Sequence, residues 1–375
     1  MKILFFASYY LPYISGITTY PAKLLAALVK KDHKATVLTF RYDHNLKEEE
    51  IINGVVVKRM PFLFRISKGF ISIRSLMYFF RELKQTDVVF LNIPNGEGLA
   101  LALLARLMNK KVIAIFHCQV DLGKSLIQKF VSLILNMIVY CQLKLSNKVV
   151  IYTKDYFNSL EMSTFLKDRI VEILPPVEKL PVDKETLGQM KKKKGKEKWI
   201  GFAGRIAKEK GLLNLVKAIS NLNDDEVTVV FAGPYGKDVV GEERYYMKLL
   251  SLLKEKNIKY HFFGLLGNGK LGAFYEAIDL LVLPSINKTE AFGMVQIEAM
   301  LHGKPVISSN LPGVRVPVQL SNMGKVTKLN DVADLSKCLR EVLQDLDKLS
   351  TSKKIKQLFK KMSLESVISR YQQLI

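Results

Sequence analysis

The sequence predicts an α/β protein built from two doubly wound, mostly parallel sheets in tandem, facing a cleft. Three observations carry this. Short β-rich runs alternate with helical stretches along the whole chain. Most of those runs are continuous Val/Ile/Leu/Phe rather than alternating, which is how strands covered on both faces read. The alternation stops at a proline- and lysine-rich stretch and then restarts, and 375 residues suit two domains of ordinary size.

In the first half the runs are KILFFA (2–7), KATVLTF (34–40), VVVKRM (55–60), DVVFLN (87–92), KVIAIFH (111–117), KVVIYT (148–153) and IVEILP (170–175). The opening run is expected to be a buried strand rather than a signal peptide, since no small-residue cleavage site follows it. A first domain over 1–175 results. The stretch 176–198, with little apolar content, reads as the linker, with part of it able to form a short helix. The runs WIGFAG (199–204), VTVVFAG (227–233), IKYHFFG (258–264), LLVLPS (280–285) and PVISSN (305–310) then define a second domain over 199–362. The C-terminal helix, 363–375, is expected to pack back on the first domain. Asp279 is expected to cap or pair at the start of its strand.

Composition narrows the function classes. Cys118, Cys141 and Cys338 are scattered without partner spacing, which argues against disulfides and structural zinc and fits a reducing cytosol. The net charge of +22 suits nucleic acid, an anionic membrane surface or an anionic small ligand. Nucleic acid is not expected, because aromatic–basic repeats, paired zinc ligands and an RNA-binding strand signature are missing from the sequence. The segment FRISKGFISIRSLMYFFRELKQ (64–85) mixes apolar and basic residues at roughly helical spacing. It reads either as a surface helix lying on anionic lipid or as a core-facing helix with a solvated basic face. The apolar stretch 125–145 is interrupted by Gln128, Lys129, Asn136 and Gln142, so a buried helix on the sheet is expected rather than a membrane span.

Ligands of doubly wound sheets bind outside the carboxyl ends of strands, so unusual residues just after strands are the candidates. In GFAGRIAKEKGLLNLVKAI (201–219) Gly204 allows close backbone approach. Arg205 offers a planar fork for phosphate oxygens and Lys210 a compact charge, although surface charge on a loop is the bland alternative. In FFGLLGNGKLGAF (262–274) the loop at Leu265 can read the edge of a base. The glycine and lysine spacing there approaches a phosphate loop, but Leu271 stands where that motif needs a hydroxyl, so it is rejected. In TEAFGMVQIEAMLHGKPVI (289–307) Glu290 and Glu298 are separated by seven residues. Glu290 precedes a helix starting near Met294 and Glu298 lies about a turn inside it. Two such carboxylates can accept hydrogen bonds from sugar hydroxyls, or one can cap the helix while the other is solvated. Phe292, Gly293 and Met294 put free N–H groups at the helix start. His117 ends a buried strand, and is either a site residue or a satisfied core histidine. Gly16 lies in the loop between the first strand and first helix. GxGxxG is absent, which disfavours a nicotinamide site.

Taken in this order, these pieces resemble glycosyltransferase family 4, the retaining nucleotide-sugar enzymes of the GT-B fold, two Rossmann-like domains. The resemblance covers nearly the whole chain and is most specific in GRIAKEKG followed by LPS and EAFGMVQIEAMLHGKPVI. It implies that Arg205 and Lys210 neutralise the donor diphosphate and that Glu298 binds the ribose. It further implies that Glu290, with the N–H groups of Phe292, Gly293 and Met294, holds the transferred sugar, with His117 over the reacting sugar. Gly16 would line the diphosphate or acceptor side, and Leu265 would meet the base through its backbone. Where the family usually carries two adjacent glycines this chain has Ser15-Gly16, and Cys118 follows the histidine, with Asp121 further on.

The implied reaction takes a sugar from a UDP- or GDP-sugar to a glycan or lipid-linked acceptor with retention, in cell-surface polysaccharide or glycolipid assembly. No cofactor and no metal are expected, since no Asp-x-Asp falls in a suitable loop. A cytoplasmic location with peripheral contact at the inner face of an anionic membrane is expected. The alternatives are an epimerase on the same fold or a non-catalytic basic nucleic-acid-binding or scaffold protein.

Overall fold

The computed structural model describes residues 1–13, 15–66, 69–123, 125–350 and 352–375. Ser67 and Lys68, within the basic–apolar segment 64–85, lie outside them. The chain divides into two compact units, Met1–Pro176 with Leu364–Ile375, and Val177–Ser363.

The first unit contains β1 (Lys2–Phe6), α1 (Gly16–Val29), β2 (Lys34–Phe40), β3 (Glu49–Ile52), β4 (Val55–Met60), β5 (Phe64–Ile66), β6 (Gly69–Ile71), α2 (Ser75–Leu83), β7 (Val88–Ile93), α3 (Gly98–Leu107), β8 (Lys111–Phe116), α4 (Leu126–Leu145), β9 (Lys148–Ile151), α5 (Lys154–Asn158) and β10 (Ile170–Glu172). Its main sheet runs β10-β9-β8-β7-β1-β2-β4-β3, parallel except for β3 on β4. Strands β1 and β7 are apolar except for Lys2 and Asn92 and buried along nearly their whole length, as strands covered on both faces must be. The strand order reverses between β1 and β7. Right-handed crossovers therefore place α2, α3 and α4, whose connections all advance toward β10, on one face, and α1 on the other. The helix pairs α2–α3 and α3–α4 are in contact.

The second unit contains α6 (Lys184–Lys194), β11 (Lys198–Ala203), α7 (Leu212–Ser220), β12 (Val227–Ala232), α8 (Glu243–Glu255), β13 (Lys259–Phe262), α9 (Asn268–Ala277), β14 (Leu280–Leu283), α10 (Met294–Leu301), β15 (Val306–Ser309), α11 (Val316–Ser321), β16 (Gly324–Thr327), α12 (Val332–Gln344), α13 (Leu346–Leu349) and α14 (Ser352–Met362). All six strands are parallel, in the order β13-β12-β11-β14-β15-β16, and the order reverses between β11 and β14. Ile200, Phe202, Val229 and Phe231 from the sheet pack with Leu215, Leu249, Leu253 and Leu339 from α7, α8 and α12.

The last helix, α15 (Leu364–Gln372), belongs to the first unit, where it packs on α1. The buried hydroxyls of Tyr20 and Tyr371 are hydrogen-bonded there.

Three expectations are corrected, and short strands such as β3 were not foreseen. The stretch 176–198 is not a free linker. Its helix α6 packs on α9, Met190 is buried, and Lys194 Nζ donates to Asp279 Oδ1 at 2.8 Å and the Ala277 carbonyl at 2.9 Å. Lysine-rich composition hid this, because the inward contacts include the end of a lysine, Lys194, beside the buried Met190. Segment 64–85 is not one helix but the β5–β6 hairpin followed by α2. Strand β3 was too polar, EEII, to stand out, since it is an edge strand with one side in water. The helix in 125–145 forms as expected but is mostly exposed: its buried residues are Ser132, Val139, Gln142 and Leu143.

Candidate functional site

In the second unit the site falls where the topology puts it, in the loops after β11 and β14, the two neighbouring strands at which the order reverses. Strand β11 delivers Gly204, Arg205 and a single tight turn, Lys208–Lys210, before Gly211 starts α7 in a left-handed conformation. Strand β14 delivers Ser285 and a loop to Gly293, which caps α10. The two loops are stitched together by the Ile286 N–H donating to the Glu209 carbonyl at 2.8 Å. In the second loop Asn287 closes a short turn, accepting from the Thr289 N–H at 2.8 Å through Oδ1 and from the Glu290 N–H at 3.2 Å through its carbonyl.

This frame brings Lys210 and Glu290 together: the ammonium donates directly to Glu290 Oε2, with both side chains about four-fifths buried. Arg205 lies on the same loop but is 53% exposed and held by Glu209, Nη2 to Oε1 at 2.9 Å. Two ion pairs, Lys210–Glu290 and Arg205–Glu209, thus fall in the loops after β11 and β14.

Gly293 has φ +77°, and a Cβ there would come within 2.5 Å of Leu283 Cδ2, so only glycine lets α10 begin so close to β14. Phe292 is buried beside it and Met294 is the first helical residue. One turn into α10, Glu298 Oε2 accepts from the Tyr275 hydroxyl of α9 at 2.8 Å. Burial and the adjacent carboxylate both push the Tyr275 hydroxyl well above its usual range, so it stays protonated and keeps donating. Gly264, at the end of β13, is left-handed, and its carbonyl accepts from the Gly233 N–H at 2.7 Å, joining the loop to the end of β12. Leu265 projects from that loop, 81% exposed.

The first unit holds the other two expected residues. His117 follows β8, its N–H donating to the Ile93 carbonyl at 3.0 Å. It is 3% exposed, and both ring nitrogens are engaged: Nδ1 with the Tyr152 hydroxyl and Nε2 with Asn92 Oδ1. Asn92 Nδ2 donates to the Ile17 carbonyl at 3.0 Å, which turns its oxygen toward the histidine. Nε2 must then carry the proton, and Nδ1 accepts from Tyr152. Burial lowers the His117 pKa to about 3, so the ring is neutral. These contacts fit the satisfied-core reading of His117: the ring holds Asn92, and Asn92 holds the Ile17 carbonyl in the first turn of α1 beside Gly16. Gly16 is exposed, and a Cβ there would meet nothing within 4 Å. Asp121 accepts from the Gly123 N–H at 3.0 Å, a turn contact.

Sequence reasoning missed Glu209, Tyr275, Asn92 and Tyr152. The Arg205–Glu209 spacing of four and an asparagine ending a buried strand were available signals; nothing marked Tyr275 as the partner of Glu298. Among the described residues no group of three or more His, Cys, Asp or Glu side chains is arranged to hold a metal ion.

Comparison with known proteins agrees with this geometry. The profile of the family described as Glycosyl transferases group 1 matches residues 183–361, and that of Glycosyltransferase Family 4 matches residues 14–177. The 2-deoxystreptamine glucosyltransferase of Streptomyces kanamyceticus is 32% identical over 153 residues, 39% of this chain. The lipopolysaccharide 1,2-N-acetylglucosaminetransferase of Salmonella typhimurium is 29% identical over 184 residues, 46% of this chain. The aligned stretches span only 36% and 46% of those two proteins' own lengths. Among solved structures, HepE of Anabaena in complex with UDP superposes with a TM-score of 0.81 at 15% identity, over 100% of this chain and 99% of that one. The two parallel-sheet α/β units are those of the GT-B fold.

Proposed function

Because the chain belongs to the group 1, family 4 glycosyltransferases, we propose that it transfers a sugar from a nucleotide-diphosphate sugar to a glycan or lipid-linked acceptor, with retention of anomeric configuration. The observation that carries the reading is the Lys210–Glu290 contact, which joins the two loops at the switch point of the second sheet. HepE, of the same fold, has been solved with UDP and with UDP-glucose, which supports a UDP-sugar donor, with a GDP-sugar the second choice.

The chemistry asks for two kinds of group. As the anomeric carbon–oxygen bond breaks, negative charge builds on the leaving diphosphate and positive charge on the sugar ring. Lys210, Arg205 and the free N–H groups at the start of α10 answer the first. Glu290, beside Lys210, faces the sugar and positions it, and Glu298, oriented by Tyr275, accepts from the ribose hydroxyls. The acceptor oxygen attacks from the face that the leaving group vacates and the departing phosphate takes its proton. No cofactor beyond the donor is needed for these steps. The relative named as a lipopolysaccharide N-acetylglucosaminetransferase supports a glycolipid acceptor and a role in cell-surface polysaccharide or glycolipid assembly; a place at the cytoplasmic face of a membrane is part of the same proposal.

Thermal shift with UDP, GDP, ADP and their sugars tests the donor, since a ligand of the native state raises the midpoint by mass action. A stabilising nucleotide sugar that is consumed only when acceptor is present supports transfer. Release of an epimerised free sugar without acceptor would replace it with the epimerase.

A further inference from the structure

Helix α4 is long and apolar enough, by length and composition, to cross a membrane, yet only 17% of its apolar window is buried. It cannot leave the protein to do so. Gln142 Nε2 donates to the Asn95 carbonyl at 2.7 Å, Asn136 bonds both polar groups of the Val120 backbone at 2.9 Å, and Leu143 and Val139 are fully covered. At 100° per residue those anchors form one stripe. Leu126, Ile127, Phe130, Leu133, Ile134 and Met137 form the opposite one, all exposed, with Leu126 at 85% and Phe130 at 63%. The neighbouring α3 adds Leu103 and Leu107 to the same side. Isolated exposed leucines are ordinary, but a continuous stripe of this kind marks an interaction surface.

We propose that the outer face of α4, with α3 beside it, is a docking surface for an anionic lipid bilayer, the helix lying in the interface plane rather than spanning. Charge selects this occupant. Between Gly98 and Asn147 the sequence has one acidic residue, Asp121, against six basic ones, Arg106, Lys110, Lys111, Lys124, Lys129 and Lys144. Lys129 and Lys144 are exposed on α4 itself. An apolar stripe flanked by cations is complementary to anionic headgroups over acyl chains. A second copy in a two-fold contact would set the same cations against each other. This places the membrane contact on a continuous helix outside segment 64–85, where the sequence had suggested it. It rests on the lipid-linked acceptor reading for its purpose, while binding itself is independent of transfer.

Flotation of the full chain with phosphatidylglycerol/phosphatidylcholine vesicles at low salt tests it. The protein is expected to float, to float at least tenfold less in I127Q/F130Q/I134Q and in K129E/K144E, and to be released by 0.5 M salt. Circular dichroism and the UDP-induced thermal shift of the variants should match the parent, as the replaced side chains are exposed. A parent that stays at the bottom, variants that float equally, equal binding to neutral vesicles, or a stable dimer that protects Ile127 and Phe130 from solvent would each overturn the proposal. A chain that floats but is stabilised by no nucleotide keeps the membrane surface and loses the transferase reading.

Discussion

Lys210 and Glu290, eighty positions apart, form a largely buried ion pair between the loops that follow β11 and β14. A pair removed from water in this way holds its geometry before any ligand arrives, which is what electrostatic stabilisation of a transition state requires.

Replacing either partner should therefore affect catalysis more than folding. Glu290→Ala and Lys210→Ala are each expected to lower kcat/KM by about 2–4 kcal/mol of transition-state stabilisation, roughly 30- to 10³-fold. The double variant should lose less than the sum, because the two side chains act through one contact. Steady-state kinetics on all three proteins checks this, and strict additivity would separate their roles.

The Arg205–Glu209 pair predicts the opposite balance. More than half of the arginine is in water, so the pair contributes only about 0.5 kcal/mol or less to stability. Arg205 can exchange Glu209 for a diphosphate at little cost. Glu209→Ala should leave the unfolding midpoint nearly unchanged and tighten UDP binding severalfold, by removing a carboxylate that competes for the fork. Arg205→Ala should weaken it. Calorimetric titration with UDP reads both, and weaker binding in Glu209→Ala would show that the carboxylate aids the ligand.

Two glycines separate a backbone role from a ligand-facing one. Gly293→Ala puts a Cβ on a left-handed residue against Leu283 and should cost about 1–3 kcal/mol of stability. Gly16→Ala meets open space and should leave stability within about 0.5 kcal/mol. Any loss of activity in Gly16→Ala would then report a ligand close to the start of α1. Chemical denaturation beside turnover distinguishes the two effects.

What could be read from the sequence followed what each residue does locally. Continuous apolar runs such as VVIYT and LLVLPS mark strands because both faces are covered, and the positions after them marked Arg205, Lys210 and Glu290. The Lys210–Glu290 contact needs the strand order, which places β11 beside β14 and is set by long-range packing that no local pattern encodes. Helix α4 shows the converse limit: its hydropathy is the same whether the outer stripe meets protein or not, so composition suggested burial where the fold leaves it open. The linker failed for a related reason, since Lys194 of α6 is largely buried and bonds through its end, and composition counts it as solvated.

His117 yields the last prediction. Its folded pKa is about 3, below the ordinary value near 6.5, because burial disfavours the imidazolium. Below pH 6.5 the unfolded chain takes up a proton that the folded one refuses, so the contribution is intact above that pH and is lost as the pH falls toward 3, by about 1.4 kcal/mol per unit. His117→Gln removes this titration while other histidines cancel in the comparison. The stability difference between parent and variant should narrow by about 1.4 kcal/mol from pH 7.5 to 5.5, as followed by urea unfolding. Since the ring is neutral throughout that range with both nitrogens engaged, kcat/KM should show no limb near pH 6.5 that disappears in His117→Gln. A limb that does disappear would return the histidine to direct contact with the reacting sugar.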